Sequence, residues 1–426
     1  MERTYVSELK LGQNVFLEGW VHEVRNLAKM KFILLRDMTG IIQCVIKQGI
    51  PGFNEEITLE SVVSIKGKTK PAKLTNEELT LKNLEVDVHE LKLLNKAEEL
   101  PIQVNEKGTR AELPTRLDYR SLDIRKPRVS SIFKVQSVIA NSFREFFYGK
   151  GFIEIQPPEI IATSTEGGTD LFEVKYFDRK AYLAQSPQLY KQMAAISLEK
   201  VFLTCPVWRA EKHDTSKHIN EIRQMDIEVA FADDISIMKW LEQVIRFIIE
   251  KVIKECKNEL EILGMKLKVP SVKYLTYDEA IALLNKHGFK LKRGDDFEPE
   301  AERKLCSLFP NTLIFTYEWP IAMKPFYIWP KNPGKGVSGG FDAIYGGVEI
   351  SSGGQRVHVP GVLIKQLKSK GLNPEDFKWY VDAFRYGAPM HAGWSIGLER
   401  LTQAMLGLDN IREATLFPRD RRRLTP

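Results

Sequence analysis

Apolar and polar residues alternate with a period of two through much of the first hundred positions. The runs "NVFLEGWVHEV", "KFILLRD", "IIQCVIK", "SVVSIKGK" and "LTLKNLEVDVHEL" are separated by Gly, Asn, Asp or Pro. That period belongs to half-buried strands, whose successive side chains point to opposite faces. Such strands, about five in about a hundred residues, predict a small closed barrel of the OB type over residues 1–100. The following stretch, "PIQVNEKGTRAELPTRLDYRSLDIRKPR", has little periodicity and many charges, and residues 101–129 read as a hinge between two domains.

From Ser130 the period lengthens. Ile132, Val135, Ile139, Phe143, Phe146 and Phe147 recur at helical spacing until Gly149 and Gly151 end the helix. "GFIEIQPPEI" reads as a strand interrupted by Pro157 and Pro158. Met225, Ile227, Val229 and Phe231 alternate with Gln224, Asp226, Glu228 and Ala230, the pattern of a strand with one polar face. Ile237, Leu241, Val244, Ile248 and Val252 then mark an amphipathic helix. Strands and helices mix without a regular βαβ beat, so residues 130–426 are expected to form an α+β domain on an antiparallel sheet.

A chain of 426 residues accommodates one large core and a smaller module. No uninterrupted apolar stretch approaches a membrane span, and the start, "MERTYVSELK", is not a signal peptide. Cys44, Cys205, Cys256 and Cys306 are too scattered for a disulfide framework or a zinc knuckle, which makes a cytoplasmic location the default. The net charge of +6 suits a polyanion such as RNA, but many metabolic enzymes carry as much.

Three stretches concentrate the chemistry. In "VWRAEKHDTSKHINE" (207–221) a strand ends in Arg209 and runs into a charged loop. Arg209 offers a planar fork of donors for a phosphate or carboxylate, and Glu211 an acceptor for an amine. On these residues alone a solvated, salt-bridged hairpin remains open. "GWSIGLERL" (393–401) places Gly393 and Gly397 on one side of a strand, where a ligand can approach the backbone, with Arg400 at a helix start. "FDAIYGGVEISSGGQRVH" (341–358) spaces Asp342 and Glu349 by seven residues, ahead of Ser352 and Arg356. Seven is odd, so the two carboxylates share a face only if Gly346–Gly347 supplies a turn or bulge. Hard oxygen ligands of this kind suit Mg2+ carried by a nucleotide.

These stretches, with "GFIEIQPPEI", resemble in order the motifs of the class II aminoacyl-tRNA synthetases. The amino-terminal barrel resembles the anticodon-binding module of the aspartyl, asparaginyl and lysyl subgroup, and the similarity to the archaeal-type aspartyl members covers almost the whole chain. The resemblance implies a cytoplasmic homodimer with Pro158 in its interface. It implies ATP and L-aspartate as substrates, Mg2+ as the metal, and transfer of the activated aspartate to the 3′ end of tRNA-Asp. By the same resemblance Arg209, Glu211 and Arg400 are catalytic. Ala210, Lys217, His218, Ile219, Glu349, Gly397, Leu398 and Glu399 join them around ATP. Glu349, Ser352 and Asp342 are the metal positions. Glu166, Gln188, Lys191, Arg209, Ser352 and Arg356 surround the amino acid.

In the barrel, Phe32 and Gln43 match positions that stack on and hydrogen-bond to the central anticodon base, with Arg25 as a phosphate contact. His22 occupies a place that bears on the third base; synthetases that charge both tRNA-Asp and tRNA-Asn often carry histidine there, which leaves tRNA-Asn open as a second acceptor. Where relatives often place an adenine-stacking aromatic residue, this chain has Ile222 and Arg223. Three other readings stand beside the aspartyl one. They are an asparaginyl-tRNA synthetase, an RNA-independent ligase that forms asparagine, and a paralogue that only binds RNA. The basic end "FPRDRRRLTP" reads either as a solvated tail or as a contact to the acceptor stem.

Overall fold

The computed structural model describes residues 2–105, 111–163, 171–212, 215–332 and 334–426. Its two compact units are Met1–Lys126 and Pro127–Pro426.

In the first unit, β1 (Asn14–Asn26), β2 (Met30–Arg36), β3 (Ile41–Lys47), β4 (Val62–Pro71) and β5 (Leu84–Asn95) close a barrel in the order β1-β2-β3-β5-β4. Alternate residues such as Val15, Leu17, Ile33, Leu35, Ile42 and Cys44 fill its interior, as the period of two requires. One irregularity matters. Val21 pairs with Leu35 and Glu23 with Leu34, so His22 is the extra residue of a β-bulge. Within the stretch expected as a hinge, two short helices, Leu113–Asp118 and Arg120–Asp123, gather around a buried carboxylate. Asp123 is held by Arg116 (2.9 Å), Arg120 (2.7 Å) and Lys126 (3.1 Å).

The second unit is built on an eight-stranded sheet. Its first segment is split at the two prolines into β6 (Ile153–Glu154) and β7 (Ile160–Ile161). β8 (Glu173–Tyr176) and β9 (Arg179–Leu183) join β7 in a small separate sheet. β10 (Lys200–Trp208), β11 (Glu221–Ala230), β12 (Ser271–Thr276), β13 (Thr312–Tyr317), β14 (Gly340–Tyr345), β15 (Val348–Gln355) and β16 (His391–Gly397) complete the large one. Its order is β12-β13-β14-β15-β16-β11-β10-β6, antiparallel except for the outer pairs β12–β13 and β10–β6.

The helices Pro127–Gly149 and Asp234–Glu255 cover one face, where Phe143, Phe147 and Val244 meet Phe202, Ile227 and Trp394 of the sheet. The second helix starts where Asp233 accepts from the Ser236 amide at 2.8 Å. Two features depart from the sequence pattern. Phe231 leaves the strand with φ of 57° and is 71% exposed. The polar face of β11 is not solvated: Gln224, Asp226 and Glu228 are as buried as the apolar residues between them. Among the described residues no helix is long and apolar enough to cross a membrane.

Candidate active site

The buried polar face of β11 is the floor of an open cleft. On β16, Gly393 lies opposite Glu228, Ser395 opposite Asp226 and Gly397 opposite Gln224. On β15, Ser352 lies opposite Ser395 and Gly354 opposite Gly393. Small residues are required here, because a Cβ on Gly393 would collide with Oε2 of Glu228 and with the Ile227 carbonyl. The Glu228 carboxylate instead crosses Gly393 to meet Arg356, whose Nε and Nη2 donate to it at 2.8 and 3.2 Å. Burial opposes the charge of Arg356, and the Glu228 carboxylate more than offsets this, holding its pKa above the ordinary guanidinium value.

Lys191, on the helix Gln188–Leu198, enters the same floor. It is 1% exposed, so the helix-surface lysine that its sequence context alone suggests is not what the fold builds. Its Nζ donates to Asp226 Oδ2 at 2.8 Å and to the Trp394 carbonyl at 3.1 Å, and stands 3.6 Å from Glu228. Behind it Gln192 links Gln188 (2.8 Å), Tyr380 (2.9 Å) and the buried His391 (2.9 Å). Burial lowers the pKa of His391 to about 4, so this network is neutral at its centre.

Lys191, Arg209, Lys324, Arg356 and Arg400 line the cleft, against Glu349 as the single carboxylate among its described lining residues. The cleft encloses about 1010 Å3 including its open mouth. Among the described residues, four polar atoms of the cleft or its near neighbours are buried without a hydrogen-bond partner: Nε of Arg209, Oε1 of Gln224, Oγ of Ser351 and Oδ1 of Asp226. A donor-rich rim with unmatched acceptors on the floor suits a ligand that carries both an anionic group and an ammonium.

The parity of Asp342 and Glu349 is resolved by two devices. Gly346 and Gly347, with φ of 59° and 80°, make the two-residue turn that joins β14 to β15. The register then shifts: Ile344 pairs with Glu349 but Ala343 with Ser351, which leaves Ile350 as a bulge. Because Asp342 pairs with Ser352, the bulge places Asp342, Glu349 and Ser352 on one face. Burial, then the neighbouring Asp342, raises the pKa of Glu349 to about 7. Asp342 itself is paired with Lys324 at 2.6 Å. Among the described residues no three or more His, Cys, Asp or Glu side chains form a metal-binding group by themselves.

Several expected residues are placed elsewhere. β10 ends at Trp208, so Arg209, Ala210 and Glu211 lie beyond the strand, and of these only Arg209 lines the cleft. Lys217 is bound to Glu302 (2.7 Å) on the helix Pro299–Leu308. His218 stands 2.6 Å from Thr215 Oγ1 and 3.9 Å from Glu211, while Ile219 is buried. Gly397 and Arg400 line the cleft, whereas Leu398 packs towards the core. Glu399 turns away from the cleft to accept the Arg223 amide at 3.1 and 3.2 Å. Of the pair expected near adenine, Ile222 lines the cleft, and Arg223 is exposed and pairs with Glu221 at 3.0 Å. Glu166 lies outside the described residues. Lys324, Asp226, Glu228, Asn220 and Glu302 carry no recognisable spacing in the sequence, and only the polar alternation of β11 hinted at two of them.

Glu399 gives a measurable consequence. Burial raises its carboxyl pKa from the ordinary 4.5 to about 7, and the Arg223 amide limits the rise. Between about pH 5 and 7 the folded chain therefore holds a proton that the unfolded chain has released. Stability is highest below this window and falls as pH rises through it, by about 3 kcal/mol in all. Glu399→Gln keeps an acceptor for the amide but does not titrate. Its melting temperature should fall less than that of the parent between pH 5.5 and 8; equal slopes would refute the assignment.

In the barrel, Phe32 pairs with Arg25 on β1 and with Val45 on β3, and Gln43 pairs with Leu34. Cross-strand partners share a face, so Arg25, Phe32 and Gln43 stand together on the outside, and Phe32 is no part of the interior core. Gln43 donates to Glu85 at 2.7 Å. His22 is not displayed with them. It is 2% exposed, and its Nδ1 accepts from Arg36 Nη1 at 3.0 Å. Burial and then the Arg36 charge lower its pKa.

The charged hairpin, the glycine-lined floor and the strand-to-helix turn at Arg400 define a class II tRNA synthetase core, accompanied by a barrel with an aromatic outer face. Residues 112–421 match the family of class II tRNA synthetases (D, K and N), and residues 15–94 match the OB-fold nucleic acid binding domain. The chain belongs to this synthetase family. An Archaeoglobus fulgidus protein named aspartate–tRNA(Asp/Asn) ligase is 42% identical over 436 residues, covering 100% of both chains. A Thermoplasma volcanium protein named aspartate–tRNA(Asp) ligase is 42% identical over 435 residues, with the same coverage. The crystal structure of asparaginyl-tRNA synthetase from Pyrococcus horikoshii, complexed with asparaginyl-adenylate, superposes with a TM-score of 0.93 at 34% identity and covers 100% of both chains.

Proposed function

We propose that the protein is an aspartate–tRNA ligase, which activates L-aspartate with ATP and transfers it from the adenylate to the 3′ end of tRNA-Asp. The observation that carries this reading is the pair of buried cations, Lys191 and Arg356, on the floor of a cleft with excess positive charge. The full-length relatives named as aspartate–tRNA ligases support it. The asparaginyl enzyme shares the backbone, so discrimination rests on side chains. Asp226 and Glu228 already balance Lys191 and Arg356, so a substrate carboxylate would gain charge-assisted hydrogen bonds from these fixed cations that an amide would form more weakly, a difference of about a few kcal/mol.

No side chain need act as a nucleophile. The aspartate α-carboxylate attacks the α-phosphorus of ATP, and pyrophosphate leaves with the electron pair of the broken P–O bond. The chain's part is positioning and charge stabilisation. The Arg209 guanidinium, which lines the cleft, serves this centre, and Arg400 serves the far phosphates. Gln224, which lines the cleft, offers an acceptor for the α-ammonium, a role that Glu166 shares by family resemblance. Ile222 packs on the adenine.

Mg2+ fits the donor set, because Glu349 is crowded by Asp342 and a divalent cation would favour its ionised form. Glu349 and Ser352 would hold the ion, with Asp342 behind them, and it would neutralise phosphate charge. Arg25, Phe32 and Gln43 would take the anticodon on the barrel's outer face. His22, being buried, would act on the third base through Arg36. A homodimer through the Pro158 segment is consistent with Ile153 and Ile160, which leave 46% and 48% of their surface exposed on either side of it. The location proposed is cytoplasmic.

Aminoacylation with labelled aspartate or asparagine, on transcripts of tRNA-Asp and tRNA-Asn, tests the reading. Aspartate on tRNA-Asp is the expected product. Aspartate on tRNA-Asn as well would show relaxed choice of the kind named for the Archaeoglobus relative. Asparagine on tRNA-Asn would overturn the role given to Lys191.

A further inference from the structure

The basic end of the chain has no part in the chemistry above, yet it is built into the charged loop. The Ile411 amide donates to the Ser216 carbonyl (2.8 Å), Arg412 Nη1 to the Thr215 carbonyl (2.9 Å), and the Asn220 amide to the Arg419 carbonyl (2.7 Å). Arg412 is 8% exposed and also donates through Nε to Asp420 Oδ2 at 2.6 Å. The other oxygen of Asp420 accepts the amides of Arg422 (2.9 Å) and Arg423 (3.0 Å). One carboxylate thus folds the tail back onto Arg412, and the closed segment meets the loop at Thr215, Ser216 and Asn220.

Asn220 carries this arrangement to the cleft. Its amide is held by the tail, while its Nδ2 donates to the carbonyls of Arg209 (2.6 Å) and Glu211 (3.1 Å). Its carbonyl accepts the Arg209 amide at 2.9 Å. From Asp420 to Arg209 the path runs through the tail backbone and one asparagine. An irregular loop loses its conformational freedom only to contacts of this sort. The guanidinium it presents must be placed within about an ångström to be effective.

We propose that residues 411–423 form a strap that positions the charged loop, with Arg412 and Asp420 as positioning residues for Arg209. The strap is held at a few points, the Arg412 side chain, the Asp420 carboxylate and the Arg419 carbonyl, while Arg421 and Arg422 stay exposed. This inference rests on reading the cleft as the ATP and aspartate site.

Asp420→Asn keeps an acceptor for the tail amides but loses the charge that holds Arg412. Arg412→Lys keeps the charge but lacks the fork that reaches Asp420 and Thr215 together. In aspartate-dependent ATP–pyrophosphate exchange, both variants should lose about tenfold or more in kcat. The KM for aspartate should stay close to that of the parent, because Lys191 and Arg356 do not touch the strap, and a lower melting temperature should be confined to Asp420→Asn, since Arg412→Lys keeps the charge opposite Asp420. Hydrogen exchange at the Asn220 amide should accelerate in both. Unchanged kcat, or a loss of rate matched by a loss of thermal stability in both variants, overturns the proposal. If the parent shows no aspartate-dependent exchange, the functional reading fails instead. Exchange at Asn220 then decides the strap alone, and unchanged protection in the variants refutes it.

Discussion

Arg209→Ala should lower aspartate-dependent ATP–pyrophosphate exchange by about a thousandfold, while the melting temperature stays close to that of the parent. The two halves of this expectation come from different atoms of the same residue. Its backbone amide and carbonyl are bonded to Asn220, and alanine keeps both bonds. The side chain contributes little of this kind to the fold, since its Nε is buried with no acceptor. A donor left unmatched in a folded chain costs free energy, and the guanidinium that carries it lines a cationic cleft, where an entering anion would offer acceptors. During transfer the α-phosphate gathers charge, so the donor is worth more in the transition state than with ground-state ATP. The loss should therefore appear mainly in kcat. A variant that exchanges at the parental rate would remove Arg209 from the mechanism, and one that melts much earlier would give it a structural role.

The fold was legible where a period could be counted. The barrel's runs alternate cleanly because each strand has one face in the core, and the helix Asp234–Glu255 shows its apolar stripe for the same reason. The floor of the cleft was half legible. Gln224, Asp226 and Glu228 read as a polar face, but a polar face in a sequence is by default a solvated one. Its burial depends on Lys191 and Arg356, which reach it from distant points of the chain. The odd spacing of Asp342 and Glu349 posed the question of a bulge without locating it. A bulge is a property of paired strands, and Ile350 has nothing in its own neighbourhood to mark it. Lys324 and Glu302 were missed because each acts through a single long-range ion pair. His22 was found by resemblance, yet its burial follows from the local bulge and from Arg36, which Glu60 holds through two bonds of 2.7 Å.

Lys191→Met separates the two duties of the buried floor. Lys191 sits between Asp226 and Glu228, and removing it leaves two carboxylates sharing Arg356 in a site almost without solvent. Breaking a buried ion pair from one side costs about 3–5 kcal/mol, so the variant should unfold at clearly lower denaturant concentration. It should also lose aspartate affinity by about a hundredfold or more, because the charge that complements the substrate carboxylate is gone. These effects would be confounded in the single variant. The double variant Lys191→Met/Asp226→Leu removes the orphaned carboxylate as well, and replacing both members of a buried pair by apolar groups is often close to neutral. It should regain most of the lost stability while its KM for aspartate stays high. Denaturant unfolding and pyrophosphate exchange on the same preparations decide the matter. Recovery of the aspartate KM along with stability would mean that Lys191 serves only the fold, and that the choice of amino acid is made by Arg356.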